Sequence, residues 1–422
     1  MNRYAIIGGA AIAAAAVVSA LLSISANTDG FTAARSDPLD AHALNRENFY
    51  QVVVPRAQAE GSVDLYSFAP AFPPFWKQVL IPRFEAKYGI KVHFFNTRPL
   101  LADQQLIALR SLGRAPPADV YFAPGSHVRL YRRRSLAADF DLVSLLPEAS
   151  AYPAARMLAL TARDGRFVPF HLNQTALAYD SARWPEASVP RDFDALLAWA
   201  QAHPHQFAFT APKSGGSGQG LMLAVAYRFM NAPCRKTFAD AWWDDDDAQR
   251  WVKTSGCLAQ TWRYLRALAR VSVFTNGNAD TQNLLANQAV QLGTVWEDGA
   301  YTFLKEKLLE PTFALTAPQP GMPGAADVLF VVAGARHPAA ALLLIDFALS
   351  RSIQQWKLDE MASRTARGDI NVAPSNTRTS PATRFMLPAS ALNSQWIWPP
   401  AAMMDALNRE FDNQIAAAPS TP

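Results

Sequence analysis

The sequence contains very little cysteine. Only Cys234 and Cys257 are cysteines among its 422 residues. Two cysteines with no histidine nearby do not make a zinc site, because structural zinc takes four ligands. In an exported chain a single pair favours a disulfide, which here would close a loop of about 23 residues. Two free, buried thiols are the alternative.

Strong charge of either sign is also missing. Charged residues make up 18% of the chain, the net charge is +4, and no low-complexity tract is present, so the composition argues against disorder. The densest basic cluster, Arg132 to Arg134, is short and typical of a solvated face. We therefore expect no nucleic-acid partner, while the mild positive charge says little about other partners.

Beyond the amino terminus the sequence has no apolar run long enough to cross a membrane. The longest, Ala339 to Ala348, is too short. At the amino terminus, one positive charge in Met1 to Tyr4 precedes an uninterrupted run of apolar and small residues from Ala5 to Ile24. This pattern predicts that residues 1–26 are a signal peptide, or a membrane anchor if they are not cleaved.

A chain of this length, half of it apolar, can bury a core larger than one small domain needs. Residues 27–60 are polar without a sustained period and are predicted to be a linker or arm. Strand and helix patterns then alternate, which predicts an α/β fold with a parallel sheet. The first five segments are Ser62–Phe68, Phe75–Tyr88, Ile90–Phe95, Leu101–Leu112 and Ala118–Phe122. Ligands bind beyond the carboxyl ends of such strands.

The second half continues this alternation. Residues 167–179 are predicted to form two extended pieces with a break between them. The later strands are predicted at Phe207–Thr210, Val290–Val295 and Val328–Ala333, and the helices at Phe193–Ala202, Leu221–Met230, Trp251–Arg270 and Pro338–Leu349. The acidic run Asp244 to Asp247 lacks the ligand spacing of a calcium loop and is predicted to begin a helix.

Four glycines and two serines directly precede the helix at Leu221–Met230. Leu221 stands where a Walker loop needs lysine, and the spacing G-x-G-x-G is not the dinucleotide fingerprint G-x-G-x-x-G. Gln219 breaks the G-x-S-x-G pattern that would make Ser217 a nucleophile. Two interpretations remain. We favour a nest of backbone N–H groups that binds a ligand, and a plain capped turn is the alternative.

Three segments resemble the extracellular solute-binding proteins of family 1. "PPADVYFAPGS" (Pro116 to Ser126) resembles the strand and ligand loop after the second helix of that family. "VQLGTVWEDGAYTFLKEK" (Val290 to Lys307) resembles its strand, polar aromatic loop and helix. The segment Pro318 to Gln355 resembles the return of the chain to the first lobe. The resemblance covers about residues 62–374, and the branch that it favours is the YnjB-like proteins, relatives of the polyamine, thiamine and ferric-ion binding proteins.

The resemblance implies a type II periplasmic binding protein fold, with two α/β lobes that close like a hinge on a ligand. Lobe 1 would comprise residues 60–171 and 326–422, and lobe 2 residues 172–325. Such a protein is a periplasmic monomer that delivers a small solute to an ABC permease and its ATPase. It is not an enzyme, and it holds no cofactor and no resident metal. The sequence lacks the adjacent tyrosines of the ferric-binding relatives, which argues against iron.

The family pattern places ligand contacts at the ends of strands and at the glycine-rich stretch. Trp296 beside two carboxylates would suit an organic cation, whereas the glycine-rich stretch favours an anionic group. The two signals agree only if the ligand is zwitterionic or phosphorylated. The expected ligand class is a polyamine-like, thiamine-like or phosphorylated compound. The predicted ligand residues are Phe68, Ala69, Phe72, Gly125, Ser126, Asn173, Gln174, Ser214, Gly215, Gly216, Ser217, Gly218, Trp296, Glu297 and Asp298.

Two other functions stay open at this point. One is a secreted or periplasm-facing hydrolase that uses Ser217, although none of the seven histidines occurs in a recognisable catalytic motif. The other is a membrane-anchored solute sensor whose lobes never meet a transporter.

Overall fold

A computed structural model of the chain describes residues 39, 43–240, 243–370, 379–388, 391–392 and 398–416. The predicted signal peptide or anchor, residues 1–26, lies outside the described residues. All elements below belong to the unit Asp40–Pro422. None of the helices in the described ranges combines the length and apolar composition that a membrane crossing needs.

Strands and helices alternate along the described chain. The strands are β1 (Ser62–Ser67), β2 (Lys91–Asn96), β3 (Val120–Pro124), β4 (Val168–Asp180), β5 (Phe207–Thr210), β6 (Val273–Thr275), β7 (Leu292–Trp296), β8 (Phe313–Thr316) and β9 (Gly324–Val331). The helices of the first half are α1 (Phe49–Glu60), α2 (Pro73–Phe75, continued by a π-helical turn at Trp76–Leu80 and by Ile81–Tyr88), α3 (Pro99–Ser111), α4 (Val128–Arg133), α5 (Leu142–Leu145), α6 (Ala154–Leu160) and α7 (Phe193–Ala202). Those of the second half are α8 (Gly216–Phe229), α9 (Ala232–Asp240), α10 (Asp245–Thr254), α11 (Ala259–Ala269), α12 (Asn278–Ala286), α13 (Glu297–Lys305), α14 (Pro338–Leu349), α15 (Arg351–Met361), α16 (Pro381–Phe385) and α17 (Ala401–Phe411).

The strands form one mixed sheet in the order β2-β1-β3-β9-β4-β7-β5-β6, and β8 pairs with β4. β1 is parallel to β2 and β3, and β5 is parallel to β6 and β7. β9 is antiparallel to β3 and β4, and β4 is antiparallel to β7 and β8. The predicted α/β fold class is confirmed, with parallel strands toward both ends of the sheet and antiparallel strands between them.

β4 is long enough to serve both ends of the sheet. Its 13 residues span about 43 Å. It pairs with β9 as far as Gln174 and with β7 from Thr175 onward. The sequence predicts two extended pieces here, but the structure has one strand whose register shifts between Pro169 and His171. Proline cannot donate a ladder hydrogen bond, which accounts for the local irregularity that resembles a break in the sequence.

Each end of the sheet has its own apolar core. The core beside β3 includes the buried rings of Tyr121, Phe167 and Phe330. A larger core beside β7 includes Leu221 on α8 and Val295, both fully buried. Among the described residues, one apolar cluster thus lies at each end of the sheet, and a smaller third cluster includes Tyr301 and Leu358.

Helix α14 is apolar on every side and almost entirely buried. Its first N–H groups have no acceptor within the helix and must find one elsewhere. Glu60 accepts hydrogen bonds from the N–H groups of Ala339 and Ala340 at 3.1 and 2.7 Å. Asp119 accepts from the N–H of His337 at 3.0 Å. Carboxylates from α1 and from the start of β3 therefore cap this buried helix end.

Two segments pack differently from their predicted assignment. Residues 49–60, predicted to be part of a linker, form α1, which packs along α14 with a Tyr50 hydroxyl donating to Asp346 Oδ2 at 2.7 Å. Residues 401–411, predicted to belong to lobe 1, form α17, and Phe411 on this helix joins the core at the β7 end. An amphipathic pattern shows that a helix has an apolar face, but it does not show which core that face meets.

Three further predictions concern local features. The predicted helix Trp251–Arg270 is two helices, α10 and α11, because Gly256 adopts a left-handed conformation between them (φ 72°). The predicted helix start in the acidic run is confirmed, since Asp244 accepts from Asp247 N–H at 2.8 Å. The arginine run is not only a solvated face: Arg133 donates to the backbone oxygen of Trp243 at 3.0 Å.

The predicted disulfide between Cys234 and Cys257 is confirmed, with the two Cα atoms 5.8 Å apart. It joins α9 to the connection between α10 and α11. Both cysteines pack against the core at the β7 end. The bond therefore closes a loop of 23 residues on the surface of that core.

We expect the double substitution Cys234→Ala, Cys257→Ala to lower the free energy of unfolding by about 3 kcal/mol, because the unfolded chain regains the freedom of the closed loop. Urea denaturation of the oxidised protein measures this loss. Reduction of the wild type should produce a similar loss, and the double variant should not respond to reductant. Equal stability of the oxidised wild type and the double variant would contradict the prediction.

Candidate functional site

The carboxyl end of β3 meets β9 at Gly125. The N–H of Gly125 donates to the carboxylate of Asp327 on β9. A Cβ at position 125 would collide with the backbone oxygen of Ala326, so only glycine lets the end of β3 lie this close to β9. Ser126 follows in a short 3₁₀ turn and is partly exposed. Both residues are predicted ligand contacts. They border the segment where β4 and β9 pair around His171 and Asp327, which we call the strand crossing because both strands pass there from one end of the sheet toward the other.

Asp327 is a charged residue at this crossing that the sequence analysis did not name as a ligand contact. The pKa of its carboxyl is raised to about 6, chiefly by burial and to a smaller extent by the nearby carboxylate of Asp298. His171, the N–H of Gly125 and His127 act in the opposite direction. The carboxylate is therefore held in a position where its ionised form is poorly stabilised by the protein.

Asp298 approaches the same crossing from the start of α13. Its Oδ2 lies 3.4 Å from His171 Nε2, and its Oδ1 accepts from the N–H of Gly299 at 2.8 Å. On the other side of the imidazole, His171 Nδ1 lies 2.6 Å from Ser363 Oγ. Within the part of the chain that the structure describes, neither Asp298 nor Asp327 forms an ion pair with lysine or arginine. Two carboxylates thus lie near one histidine.

A buried lysine lies beneath this crossing. Lys357 on α15 donates to the backbone oxygen of Phe170 and, at 3.3 Å, to Gln354 Oε1. Its ammonium group also lies 3.8 Å from the centroid of the Phe170 ring. Burial lowers the pKa of Lys357 well below its usual range, and the charge of Asp327 opposes this shift. The lysine is thus a poor counter-ion for Asp327.

Trp296 ends β7 and forms an aromatic wall next to Asp298. Its indole stacks on Trp398, with ring centroids 5.3 Å apart and planes 28° from parallel. It also lies against the start of α8, because a Cβ at Gly216 would be 2.6 Å from Trp296 Cζ2. Trp296 is partly exposed. The structure therefore joins the predicted glycine-rich stretch to the predicted aromatic contact.

Most of the glycine-rich stretch serves packing. Helix α8 begins at Gly216 and not at Leu221. The Ser217 hydroxyl is buried and donates to Asn278 Oδ1 at 2.9 Å, and Ser217 N–H donates to the same oxygen at 3.1 Å. A Cβ at Gly218 would collide with the carbonyl oxygen of Thr210. Position 218 is therefore glycine because α8 and β5 are in close contact, and not because a ligand must approach it.

The other residues of this stretch lie at its edge. Ser214 Oγ donates to Asn276 Oδ1 at 2.8 Å. Gly215 is the cap residue of α8 in an extended conformation. A Cβ there would lie close to Asn278 Oδ1 and Thr210 Cγ2. The side chain of Asn278 thus fills the space around the first turn of α8.

The predicted contacts that follow β1 differ in their exposure to solvent. Phe68 is partly exposed and packs on Phe122 at 5.3 Å. Ala69 and Phe72 are buried, and the Phe72 ring lies 5.0 Å from His171. Phe72 therefore supports the imidazole from inside the core.

The predicted contacts on β4 also differ in exposure. Gln174 is buried, and its amide donates to the backbone oxygens of Thr175 and Met322 at 2.9 and 2.8 Å. Asn173 is partly exposed, and its Oδ1 accepts from the N–H of Gln174 at 2.9 Å. Of the two, Asn173 is the one that retains access to solvent.

Glu297 is fully buried, and its carboxylate is already bound. Arg364 Nε donates to Oε2 at 2.6 Å, and Arg364 Nη2 donates to Oε1 at 2.8 Å. The N–H of Leu387 donates to Oε1 at 2.6 Å. With both oxygens engaged by the protein, the predicted direct contact of Glu297 with a ligand loses its support.

Another cluster could in principle bind a cation. Asp64, Asp119 and His337 lie together at the amino ends of β1 and β3, at the opposite ends of these strands from Gly125. Their oxygens already accept hydrogen bonds: Arg336 donates to Asp64 Oδ2 at 2.6 Å, and His337 Nδ1 lies 2.8 Å from Asp119 Oδ2. These contacts hold the start of α14, so the cluster has a structural role.

The chain belongs to the bacterial extracellular solute-binding proteins, since the model of that family matches residues 80–375. Members of this family bind substrates and are not enzymes, and the family implies a periplasmic location. No curated protein sequence matches the chain. The YnjB-like branch stays a prediction.

Solved structures share the fold at low sequence identity. An extracellular solute-binding protein from Bordetella parapertussis has a TM-score of 0.64 and 15% identity, and it covers 85% of this chain and 99% of its own. Iron-bound HitA from Pseudomonas aeruginosa has a TM-score of 0.56, 17% identity and coverages of 84% and 97%. A periplasmic thiamin binding protein has a TM-score of 0.56, 19% identity and coverages of 84% and 96%. The architecture is that of type II periplasmic binding proteins.

We expect Gly216→Ala and Gly218→Ala to behave differently. The first should displace the Trp296 indole, change tryptophan fluorescence and weaken ligand binding about tenfold, or about 1.4 kcal/mol, while the cooperative melt is retained. The second should destabilise the fold, because the clash is with the backbone of Thr210. Fluorescence, calorimetric titration and thermal unfolding distinguish these outcomes. Normal binding by Gly216→Ala would exclude the start of α8 from the site.

Proposed function

We propose that this protein is the periplasmic substrate-binding component of an ABC importer, which captures a small polar solute between two lobes and delivers it to a permease and its ATPase. Family membership and fold support this role. The observation that carries it is the half-buried carboxylate pair Asp298 and Asp327, which lies at the strand crossing without a lysine or arginine partner in the described residues.

We further propose that the two cores correspond to two lobes. Lobe 1 would be residues 60–171 with residues 326–370, and lobe 2 would be residues 172–325 with α17. β4 and β9 pass between the lobes, and the segment after α15 returns the chain to lobe 2. Hinge closure would occur around His171 to Asn173 and Asp327 to Val331 and would bury the solute.

The site favours a solute with a cationic group. Asp298 and Asp327 offer two carboxylates, and the partly exposed face of Trp296 offers a cation–π contact. A bound cation would restore the favourable charge environment that Asp327 lacks. A polyamine or a thiamine-like compound satisfies these requirements.

An anionic group on the same solute has weaker support. Asn278 already accepts from the N–H of Ser217, which removes one donor from the predicted nest. Within the described residues, the N–H of Gly216 has no protein acceptor and remains available next to Trp296. A phosphorylated or carboxylated cation could therefore use this single donor at the end of α8.

The contacts of Ser217 argue against the hydrolase. Its buried hydroxyl lies among the oxygens of Thr210, Thr294 and Asn278, at 2.9 to 3.3 Å. These groups cannot serve as the general base that activation of serine requires. The anchored sensor differs from the importer only in its leader and partners. We propose export by residues 1–26, and co-purification with a permease would separate importer from sensor.

We expect amines to bind to the mature protein and inorganic phosphate alone to be ineffective. A thermal-shift panel of spermidine, thiamine, thiamine phosphate, inorganic phosphate and ferric ion tests this, with calorimetry on each hit. Trp296→Ala should lower the affinity for the compound that binds about tenfold, and the variant should still unfold cooperatively. Trp199→Ala is the matched control, because Trp199 stacks on Trp184 elsewhere. Stabilisation by phosphate or iron alone would contradict the proposed ligand class.

We expect binding of a cationic solute to weaken as the pH falls through about 6, because the carboxyl of Asp327 has its pKa raised to about 6 and binds a cation only when ionised. Affinity should fall about tenfold for each pH unit below that value. Asp327→Asn should bind weakly at every pH. Asp246→Asn, at an exposed position, is the control and should retain the profile of the wild type.

The same carboxyl should affect the stability of the unliganded protein in the opposite sense. Because its pKa is raised on folding, the folded chain holds this proton more tightly than the unfolded chain does, so its contribution to stability is lost as the pH rises through about 6. Asp327→Asn should therefore melt at a higher temperature than the wild type at pH 7.5. A lower melting temperature would show that the ionised carboxylate stabilises the fold.

A further inference from the structure

Arg364 lies outside the predicted ligand contacts but touches the segments that carry them. It follows α15, and its backbone pairs with Leu172 of β4: each N–H donates to the carbonyl of the other, at 3.0 and 2.9 Å. β7 pairs with β4 only as far as Thr175, opposite Trp296. Arg364 therefore binds to β4 just beyond the point where β7 leaves it, next to His171.

The side chain of Arg364 continues this bridge toward lobe 2. Its guanidinium binds both oxygens of Glu297, and Nη2 also donates to the backbone oxygen of Leu387 at 2.6 Å. The side chains of Arg364 and Glu297 are only 11% and 1% exposed. Because the two side chains are buried and joined by two parallel hydrogen bonds, the pair has one favoured geometry.

Glu297 stands between Trp296 and Asp298, the two residues of this segment that retain access to solvent. Because its carboxylate is fixed to Arg364, the backbone on both sides of it is fixed relative to β4. His171 of β4 is the group that faces Asp298 at 3.4 Å. The distance between Asp298 and His171 therefore depends on the pair of Arg364 with Glu297, although neither side chain of that pair is a proposed solute contact.

We propose that Arg364 is a positioning residue for the solute site: through Glu297 it sets where Trp296 and Asp298 stand relative to His171 and Asp327. This inference rests on the proposed function, since it assumes that the solute binds among these groups. The pair is close to the strand crossing and acts as a fixed pivot for α13.

Arg367 supplies a matched control three residues further along. Its side chain is only 6% exposed, and it binds Glu148 at 2.7 Å and Asp369 at 2.7 Å. It also donates to the backbone oxygen of Leu349. Burial and charge pairing are similar to those of Arg364, but these partners lie away from Trp296 and Asp298.

The test compares Arg364→Lys with Arg367→Lys in the exported, oxidised protein. Lysine keeps the charge and loses the bidentate geometry. The first readout needs no ligand: circular dichroism of the Trp296–Trp398 stack, identified by its loss in Trp296→Phe. The second is calorimetric titration with spermidine. We expect Arg364→Lys to lose the tryptophan signal and to bind spermidine about tenfold more weakly, with a cooperative melt. Arg367→Lys should lower the melting temperature and leave both readouts unchanged.

Retention of both readouts by Arg364→Lys would overturn the inference and leave the pair with a structural role only. If Arg364→Lys fails to fold, Glu297→Gln is tested in its place, because it keeps one acceptor for the guanidinium. Glu297→Gln should show a smaller loss of the tryptophan signal and a smaller loss of spermidine affinity. If both readouts are unchanged in Glu297→Gln, the inference is overturned. If the wild type does not bind spermidine, the proposed ligand class fails, while the tryptophan signal still tests the positioning role.

Discussion

The antiparallel pairing of β4 with β9 is the constraint on which the rest of the structure depends. These two strands connect the parallel strands at one end of the sheet to those at the other, and β4 pairs with both sets. Their crossing determines where Gly125, Asp298 and Trp296 meet, because each of these residues lies at the end of an element anchored to one of the two strands. A shift of register by one residue would turn Asp327 to the opposite face of the sheet and move His171 away from Asp298.

The crossing combines rigid apolar support with poorly compensated charge. Phe72 packs against His171 and Phe170 against Lys357, and both polar side chains are buried. Burying these charged groups is unfavourable, and this shows in the raised pKa of Asp327 and the lowered pKa of Lys357. Both shifts mean that the protein disfavours the charged form. A structural core would be more stable with apolar side chains here. A site that must bind a charged solute and release it gains from the opposite arrangement, because the solute supplies the missing charge.

Local sequence patterns predict much of the fold, and long-range contacts explain what they miss. The alternation of strands and helices and the helix start at Asp244 are readable from short segments. The glycine-rich stretch is predicted to precede a helix at Leu221, but the helix begins within it, at Gly216. The roles of its residues are set by distant contacts: Gly218 is needed because Thr210 lies behind it, and Ser217 is occupied by Asn278, 61 residues away. Asp327 did carry a signal, as a charged residue inside an apolar strand. Arg364 carried none, because its partner Glu297 is 67 residues earlier in the chain.

In the two-lobe arrangement that we propose, the placement of α17 has a consequence for hinge motion that the local pattern does not predict. Its residues Met403, Leu407 and Phe411 are buried in the core at the β7 end, which we assign to lobe 2. Two pairs also connect residues that follow α15 to the site: the ion pair of Arg364 with Glu297 and the stack of Trp398 on Trp296. With these contacts as a third connection between the proposed lobes, twisting would be more restricted than with two neighbouring strands alone, and bending would be the easier motion. Closure would then bring the two carboxylates and the indole onto a solute along one direction.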